Sequence, residues 1–303
     1  MADNPSSIEL LQSPHTEVSG QRGFFILLPM RLSLFLIVGF LFACNTPRQI
    51  SLAIPTTASS ISGTAFYEAA KTMQWQARDS FALQMIQSGL VPEFLLKLQP
   101  ISITLTDSLG KQHRITYFVT PDYLSIGTNN DWARVPLTPM TATAIADQWQ
   151  CFLPTPKMVD AIYAASKVKL APVPMYIHRD STITMWQHHL MIEGQRKGRK
   201  GLIAGIKKDV VVTERLRNTA KPNRVAIYGW HQLNGAPIQP VYTGHVNWYV
   251  DYSHGIRLVY QTIYVDGKPM PYQDVFVHPL FHRALTDEEA GLPYKYLSDK
   301  MRK

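Results

Sequence analysis

The spacing of apolar residues changes its period several times along the chain, and each change marks a predicted element. Within residues 64–88 apolar side chains recur at three- and four-residue steps, which predicts a helix that Gly89 ends. Within residues 101–119 apolar and polar residues alternate around a Ser-Leu-Gly-Lys turn, which predicts a β-hairpin. Further helices are predicted at 92–98, 141–150, 156–167 and 181–193, and further strands at 123–126, 202–206, 210–212, 224–229, 246–252 and 256–265.

This order of elements predicts an α+β fold. Blocks of strands are interrupted by blocks of helices, and the sequence has no βαβ series with a Gly-rich phosphate loop. We therefore expect a single domain over residues 61–303, with a mainly antiparallel sheet flanked by helices. An apolar content of 46% and a charged content of 17% exclude an intrinsically disordered chain.

The N-terminal region has the layout of an export signal. Residues 32–43 are predominantly apolar, and as a helix they would rise about 18 Å, well short of the ~30 Å hydrocarbon core of a membrane. The basic residue Arg31 precedes this run and small residues end it, as in a secretory signal. An N-terminal anchor helix that is never cleaved is the alternative. The rest of the chain has no comparable apolar stretch, which excludes a multi-span membrane protein.

The sequence Leu-Phe-Ala-Cys at residues 41–44 resembles the lipobox of bacterial lipoproteins. The resemblance implies that Cys44 is lipidated, which would bind the protein to a membrane on the extracytoplasmic side of the cell envelope. Asn45 after the cysteine implies sorting to the outer membrane in a Gram-negative cell. The predicted organisation is thus an over-extended start or polar leader at 1–29, a lipoprotein-type signal peptide at 30–43, a tether at 44–60, and the α+β domain.

Net charge and cysteine content restrict the classes of partner and of metal site that we expect. The chain carries 30 Lys and Arg against 22 Asp and Glu, so it is attracted to anionic envelope polymers, whereas nucleic acid is not expected as the partner of an exported protein. The basic residues 196–200, with Lys207 and Lys208 beyond them, either bind such a polymer or are simply solvated. Two cysteines cannot build a zinc site of their own. We expect no metal and no other cofactor, although a metal held by His254 and a distant His188, His189 or His231 stays an alternative.

The segment with the most functional side chains is 242–259, which reads YTGHVNWYVDYSHGIRLV. On a regular strand its odd-numbered polar residues share one face and its apolar residues share the other, up to His254 at the end. His245 and Asp251 would then lie about 20 Å apart and could not share a metal. Ser253 and His254 would point to opposite faces, which argues against a local serine triad. We therefore expect a polar strand face that binds a ligand beside His254.

Cys151 is the candidate nucleophile. It precedes a predicted helix, whose dipole favours the thiolate, and a strand histidine such as His254 would lower its pKa further. The order of these two residues resembles that of papain-like envelope amidases, which implies His254 as the base; Asp251 would orient its ring. Cys151 as a small buried hydrophobe is the alternative. The remaining candidates, all for substrate binding, are His245, Tyr249, Ser253, Arg257 and His231.

The stretches RVAIYGWH at 224–231, PIQP at 237–240 and DYSHGIR at 251–257 resemble an uncharacterised group of exported bacterial proteins. That resemblance implies export and a shared site, but no particular reaction. The functional hypothesis is a cell-envelope lipoprotein with hydrolase activity on peptidoglycan- or glycan-like material. The alternative is a non-catalytic lipoprotein that binds anionic glycan through the polar strand face and the basic loop.

Overall fold

The computed structural model describes residues 49–54, 61–218 and 220–297, all of which belong to a compact unit that spans Thr46–Lys303. Its helices and mainly antiparallel sheets confirm the predicted single α+β domain. None of the helices within these residues is long and apolar enough to cross a membrane. The predicted signal peptide and the lipidation site Cys44 lie outside the described residues.

The domain begins earlier than predicted. Leu52, inside the segment expected to be a tether, is buried, and its backbone N–H donates to the Leu96 carbonyl at 2.9 Å. Leu98 donates in turn to the carbonyl of Ile50 at 2.9 Å, and Ser51 forms a bridge with Lys97. The apolar side chains of this segment therefore pack onto the domain instead of spacing it from an anchor.

The described residues form seven α-helices. They are α1 (Gly63–Ala70), α2 (Trp75–Gln87), α3 (Glu93–Leu96), α4 (Pro139–Gln148), α5 (Pro156–Ala165), α6 (Thr182–Arg196) and α7 (Tyr272–Val277). Residues 64–88 thus form two helices instead of one. Gln74 adopts an extended backbone ahead of α2, at φ −67° and ψ 161°. The apolar spacing cannot reveal this break, because it continues at helical steps on both sides of it.

Fourteen short strands complete the described fold. They are β1 (Gln99–Thr106), β2 (Gln112–Val119), β3 (Ser125–Gly127), β4 (Trp132–Arg134), β5 (Cys151–Phe152), β6 (Val168–Lys169), β7 (Ile203–Ala204), β8 (Lys208–Val211), β9 (Ala226–His231), β10 (Pro237–Tyr242), β11 (His254–Gly255), β12 (Val259–Tyr260), β13 (Thr262–Val265) and β14 (Lys268–Pro271). The main sheet is antiparallel, in the order β14–β13–β2–β12–β5, with β1 also paired to β2.

A second sheet positions the candidate site. Its order is β10–β9–β8–β11, and its last pair is parallel, with His254 opposite Lys208 and Gly255 opposite Asp209. A Cβ at Gly255 would lie 2.5 Å from the Tyr123 ring, so only glycine lets the strand approach this closely. Two smaller pairs, β3–β4 and β6–β7, flank the sheets.

The predicted hairpin is confirmed. β1 and β2 pair in register from Gln99 opposite Val119 to Thr106 opposite Gln112. The Asp107 carboxylate closes the turn by accepting the backbone N–H groups of Leu109 and Lys111, both at 2.9 Å.

The strand predicted at 246–252 does not form. Val246 makes only an isolated bridge with Arg224, and a turn follows in which Tyr249 N–H donates to the Val246 carbonyl at 3.0 Å. A second turn joins His254 N–H to the Asp251 carbonyl at 3.1 Å. The Asp251 carboxylate supports this turn by accepting a hydrogen bond from the Ser253 N–H. Such a short-range hydrogen bond between a side chain and the backbone competes with strand pairing.

Candidate functional site

The two turns of segment 245–254 fold its polar side chains into one cluster. The rings of His245 and Tyr249 lie with centroids 4.5 Å apart, and the His254 ring lies 6.0 Å from Tyr249 and 6.1 Å from His245. The expected separation of about 20 Å between His245 and Asp251 was derived for a straight strand. It does not apply here, because the chain turns between them at residues 246–249. The predicted polar residues therefore meet, but as a cluster instead of a flat strand face.

Asp251 is the centre of this cluster. Its carboxylate accepts from Arg179 Nη2 at 2.8 Å and Nε at 3.2 Å, from Ser253 Oγ at 2.6 Å and from the Ser253 N–H at 2.8 Å. The Tyr249 hydroxyl donates to the same carboxylate at 3.3 Å. Burial alone raises the pKa of Asp251, but the His254 ring, the Ser253 hydrogen bonds and Arg179 together hold it well below its usual value. Asp251 is thus a buried group that is charged at pH 7.

His254 lies beside this charge and is itself enclosed, with 1% of its surface exposed. Its Nε2 lies 3.9 Å from an Asp251 carboxylate oxygen, beyond hydrogen-bond distance, and neither ring nitrogen makes a hydrogen bond to any described residue. Burial lowers the pKa of His254 to about 4 against the opposing effect of Asp251, and Lys208 and His245 lower it further. The ring is therefore neutral at pH 7, with one donor and one acceptor nitrogen unused.

Two lysines of the neighbouring strand segment face the same region. The ammonium group of Lys208 lies 5.0 Å from the centre of the Trp230 ring. Lys207 is fully buried and donates to His188 Nδ1 at 3.1 Å and to the Tyr252 carbonyl. Burial, together with the charge of Arg134, lowers the pKa of Lys207 to about 7. Lys207 thus ties α6 to the backbone between Asp251 and Ser253.

An open cleft of about 440 Å³ lies next to the cluster. Its lining includes the aromatic residues Trp75, Trp248 and Tyr249, and the charged residues Lys71, Arg78 and Asp180. Tyr249 belongs to both the cleft and the cluster, so its ring lies between solvent and the Asp251–His254 pair. A cleft of this volume and mixed lining is typical of a small-ligand site.

No family model, curated protein or solved structure matches the chain. The site must therefore be interpreted from its own geometry.

The structure does not bring Cys151 to this cluster. Cys151 lies in β5 at the edge of the main sheet, 6% exposed, and its Sγ donates to the Trp149 carbonyl at 3.3 Å. Burial raises the pKa of the thiol, contrary to the expected thiolate. Helix α5 begins five residues later at Pro156, so the thiol is not at its N-terminus. The geometry is that of the alternative, a small buried hydrophobic residue.

Arg257 and His231, predicted to bind substrate, have partners elsewhere. Arg257 is buried and donates to the carbonyls of Thr120 at 2.7 Å and Ile203 at 2.6 Å, and its nearest carboxylate is Asp209, not Asp251. His231 Nε2 lies 2.9 Å from the Asp160 carboxylate, and its ring stacks on Tyr163 at 4.5 Å. Both side chains hold the fold together outside the cluster.

Ser253 lies inside the cluster, but its hydroxyl is fully buried and bonded to Asp251, so it is neither a nucleophile nor an exposed ligand group. His245 and Tyr249 are half-buried and remain the accessible members. The described residues contain no group of three or more His, Cys, Asp or Glu side chains that could hold a metal ion.

Several residues of the site were missed by the sequence analysis, namely Arg179, Trp75 and Arg78. Lys207 and Lys208 were expected to bind polymer or to be solvated, but both are buried. Arg179 lies 72 positions from Asp251, so no spacing rule connects the two. A local signal did exist for the lysines. Residues 206–212 read Ile-Lys-Lys-Asp-Val-Val-Val, and charged residues within such an apolar strand require buried partners.

Proposed function

We propose that the protein is a cell-envelope lipoprotein, attached to the membrane through Cys44, that hydrolyses peptidoglycan- or glycan-like material with His254 as general base. The observation that supports this proposal is the enclosed His254 ring, whose two nitrogens have no hydrogen-bond partner among the described residues. Leaving buried polar groups unpaired costs about 1–3 kcal/mol each. Such a cost is commonly retained where a group serves a reaction.

The proposed reaction needs only groups of the cluster. His254, neutral at pH 7, accepts a proton from a water molecule as that water attacks the carbonyl carbon of an amide or ester bond of the substrate and forms a tetrahedral oxyanion. The charged Asp251 carboxylate, 3.9 Å from Nε2, stabilises the imidazolium that forms. The same proton then passes to the leaving group, which restores the neutral ring. Cys151 has no role in this scheme, and no covalent intermediate forms.

The cleft supplies substrate binding in this proposal. Trp75 and Trp248 offer flat apolar surface to sugar rings, and Trp248 is 44% exposed. Arg179 uses Nη2 and Nε on Asp251, which leaves Nη1 as a donor for the oxyanion of the transition state. Movement of the Tyr249 ring would connect the cleft with His254.

The experiment compares turnover of purified cell wall by the wild type and by the His254→Leu variant. We expect activity to fall by about 10²–10⁴-fold, the usual contribution of a general base. The melting temperature should stay the same or rise, because leucine removes two unpaired polar atoms from the interior. His282→Gln, in the Phe281–Ala284 segment that packs beside β1, is the matched control and should keep full activity. Undiminished turnover by His254→Leu would contradict the proposal.

A second candidate function is binding of the same glycan without chemistry. It is favoured by the 1% exposure of His254 and by the positions of the two candidate nucleophiles, since the Ser253 hydroxyl is bonded to Asp251 and Cys151 lies in the core. In that case the wild type releases no product, and Trp248→Ala lowers retention on cell wall whereas His254→Leu does not.

A further inference from the structure

A second cleft, separate from the one beside His254, lies at the other end of helix α6. The first cleft is lined by Thr182 at the start of α6, and this one by Arg196 at its end, about 21 Å along the helix axis. The second cleft encloses about 430 Å³. It lies between α3, β4 and the basic segment that follows α6.

The basic segment has a defined conformation, which a purely solvated loop would lack. Lys197 ends α6 in the left-handed backbone region at φ 49°. Arg199 then folds back on the helix end, with its Nη2 donating to the Gln195 carbonyl at 2.9 Å and its Nε to the Arg196 carbonyl at 3.1 Å. A guanidinium on the last carbonyls of a helix stabilises that end. The segment thus has a fixed path at the cleft, which Arg196 and Lys200 of this segment line.

The cleft has excess positive charge. Arg196 is neutralised by Glu193, with its Nη2 2.6 Å from a carboxylate oxygen. Lys97 and Lys200 also line the cleft, and neither forms an ion pair with any of the described residues. Glu93 is the one acidic residue of the lining. The two unpaired ammonium groups therefore favour an anionic ligand.

The cleft also has the groups that recognise a sugar. Phe94 is partly exposed and packs against Trp132, with ring centroids 4.9 Å apart and planes at 62°, whereas the guanidinium groups of Arg134 and Arg196 already lie over the Trp132 ring. Asn129 accepts from the Glu93 N–H through its carbonyl oxygen, which leaves its NH₂ group as a donor. Gln99 donates through its NH₂ group to the Lys97 carbonyl, which leaves its carbonyl oxygen as an acceptor. Uncharged donors and acceptors beside aromatic rings suit a polyhydroxylated ring better than a bare anion.

We propose that this second cleft binds a carboxylate-bearing sugar of an acidic polysaccharide, with the ring against Phe94 and the carboxylate between Lys97 and Lys200. The site is independent of the His254 cluster and would hold a polymer at one end of α6, away from the first cleft. It also assigns a role to Lys200 of the basic run 196–200, which acts at one discrete cleft instead of as part of a diffuse patch.

The test is a titration of the full chain, kept in detergent micelles, with a tetramer of galacturonic acid, with neutral maltotetraose and with adenosine monophosphate. We expect saturable binding of the galacturonate tetramer, none of maltotetraose, and affinity that falls as salt is raised. The Lys97→Gln/Lys200→Gln double variant should bind about fivefold more weakly or worse. Phe94→Ala should weaken binding without removing its salt dependence.

The matched control is Lys111→Gln/Lys268→Gln, which removes the same charge from two exposed lysines outside the cleft. It should bind as the wild type does, and both double variants should melt at the wild-type temperature. Equal weakening in both double variants would show attraction to the overall charge and overturn the proposal. So would failure to bind the tetramer, or binding of adenosine monophosphate in preference to it.

Discussion

Replacing Asp251 with Asn is the sharpest test of how the site is held together. The change keeps the size of the side chain and removes its charge. In the wild type the carboxylate accepts two bonds from Arg179, two from Ser253 and one from the Tyr249 hydroxyl. The amide of the variant can still accept from Ser253, but its NH₂ group faces one or more of these donors. Arg179 also loses its only counter-charge among the described residues.

The expected cost follows from these contacts. Hydrogen bonds to a charged group contribute about 1.5–3 kcal/mol each, and removing one partner of a buried ion pair costs about 3–5 kcal/mol. The side chain of Arg179 is 39% exposed, so water compensates for part of its loss. We therefore expect the free energy of unfolding to fall by about 2–4 kcal/mol, which lowers the Tm of a domain of this size by roughly 4–12 °C.

The assay is equilibrium unfolding at several pH values, with Asp287→Asn as the control. Asp287 pairs with Lys157 at 2.6 Å but is 78% exposed, so its loss should cost less than about 0.5 kcal/mol. The pKa of Asp251 is lowered by folding, so its contribution is complete above the unfolded value near 4 and is lost as the pH falls through the folded value. The difference in the free energy of unfolding between the wild type and Asp251→Asn should therefore become smaller as the pH falls from 5 to 2. A variant as stable as wild type at pH 7, or a difference that does not depend on pH, would refute this reasoning.

Two further predictions concern the charge of Lys207 and the backbone at Gly255. Folding lowers the pKa of Lys207 to about 7 from its unfolded value near 10.4. Between these two pKa values the unfolded chain binds more protons than the folded chain. The free energy of unfolding of the wild type should therefore rise between pH 7 and pH 9. Lys207→Met should lack that rise in urea unfolding, whereas Lys111→Met should keep it. Gly255→Ala should lower the free energy of unfolding by about 1–3 kcal/mol, because the added Cβ would collide with the Tyr123 ring. The control Gly291→Ala faces open space and should melt like the wild type. Equal Tm values for the two variants would show that the close approach at Gly255 is not required.

The sequence predicted an element correctly where the spacing of its apolar residues and the residues of the adjoining turn indicated the same structure. The β1–β2 hairpin was predicted because alternation on both sides is joined by a segment in which Asp107 and Gly110 have the turn chemistry that a hairpin needs. At 246–252 the alternation is unbroken, but the strand does not form, because Asp251 is a residue type that forms turns through its own side chain. Asp251 does so by accepting the Ser253 N–H. A period-two pattern therefore predicts a strand only where no such residue can compete for the backbone.

The site itself depends on contacts that no local pattern encodes, such as Arg179 with Asp251 or Lys207 with the Tyr252 carbonyl, 45 positions apart. A sequence can show that charged residues within an apolar strand need buried partners. Lys207, Lys208 and Asp209 are all buried, as expected of charges in the middle of an apolar strand, and each such charge requires compensation from another element. Lys207 donates to the Tyr252 carbonyl just before β11, whereas Lys208 lies over the Trp230 ring of β9 and Asp209 accepts from the Tyr123 hydroxyl. Buried charges within a strand thus show where other elements must converge, since burial forces these charges to have partners whereas an exposed polar face needs none.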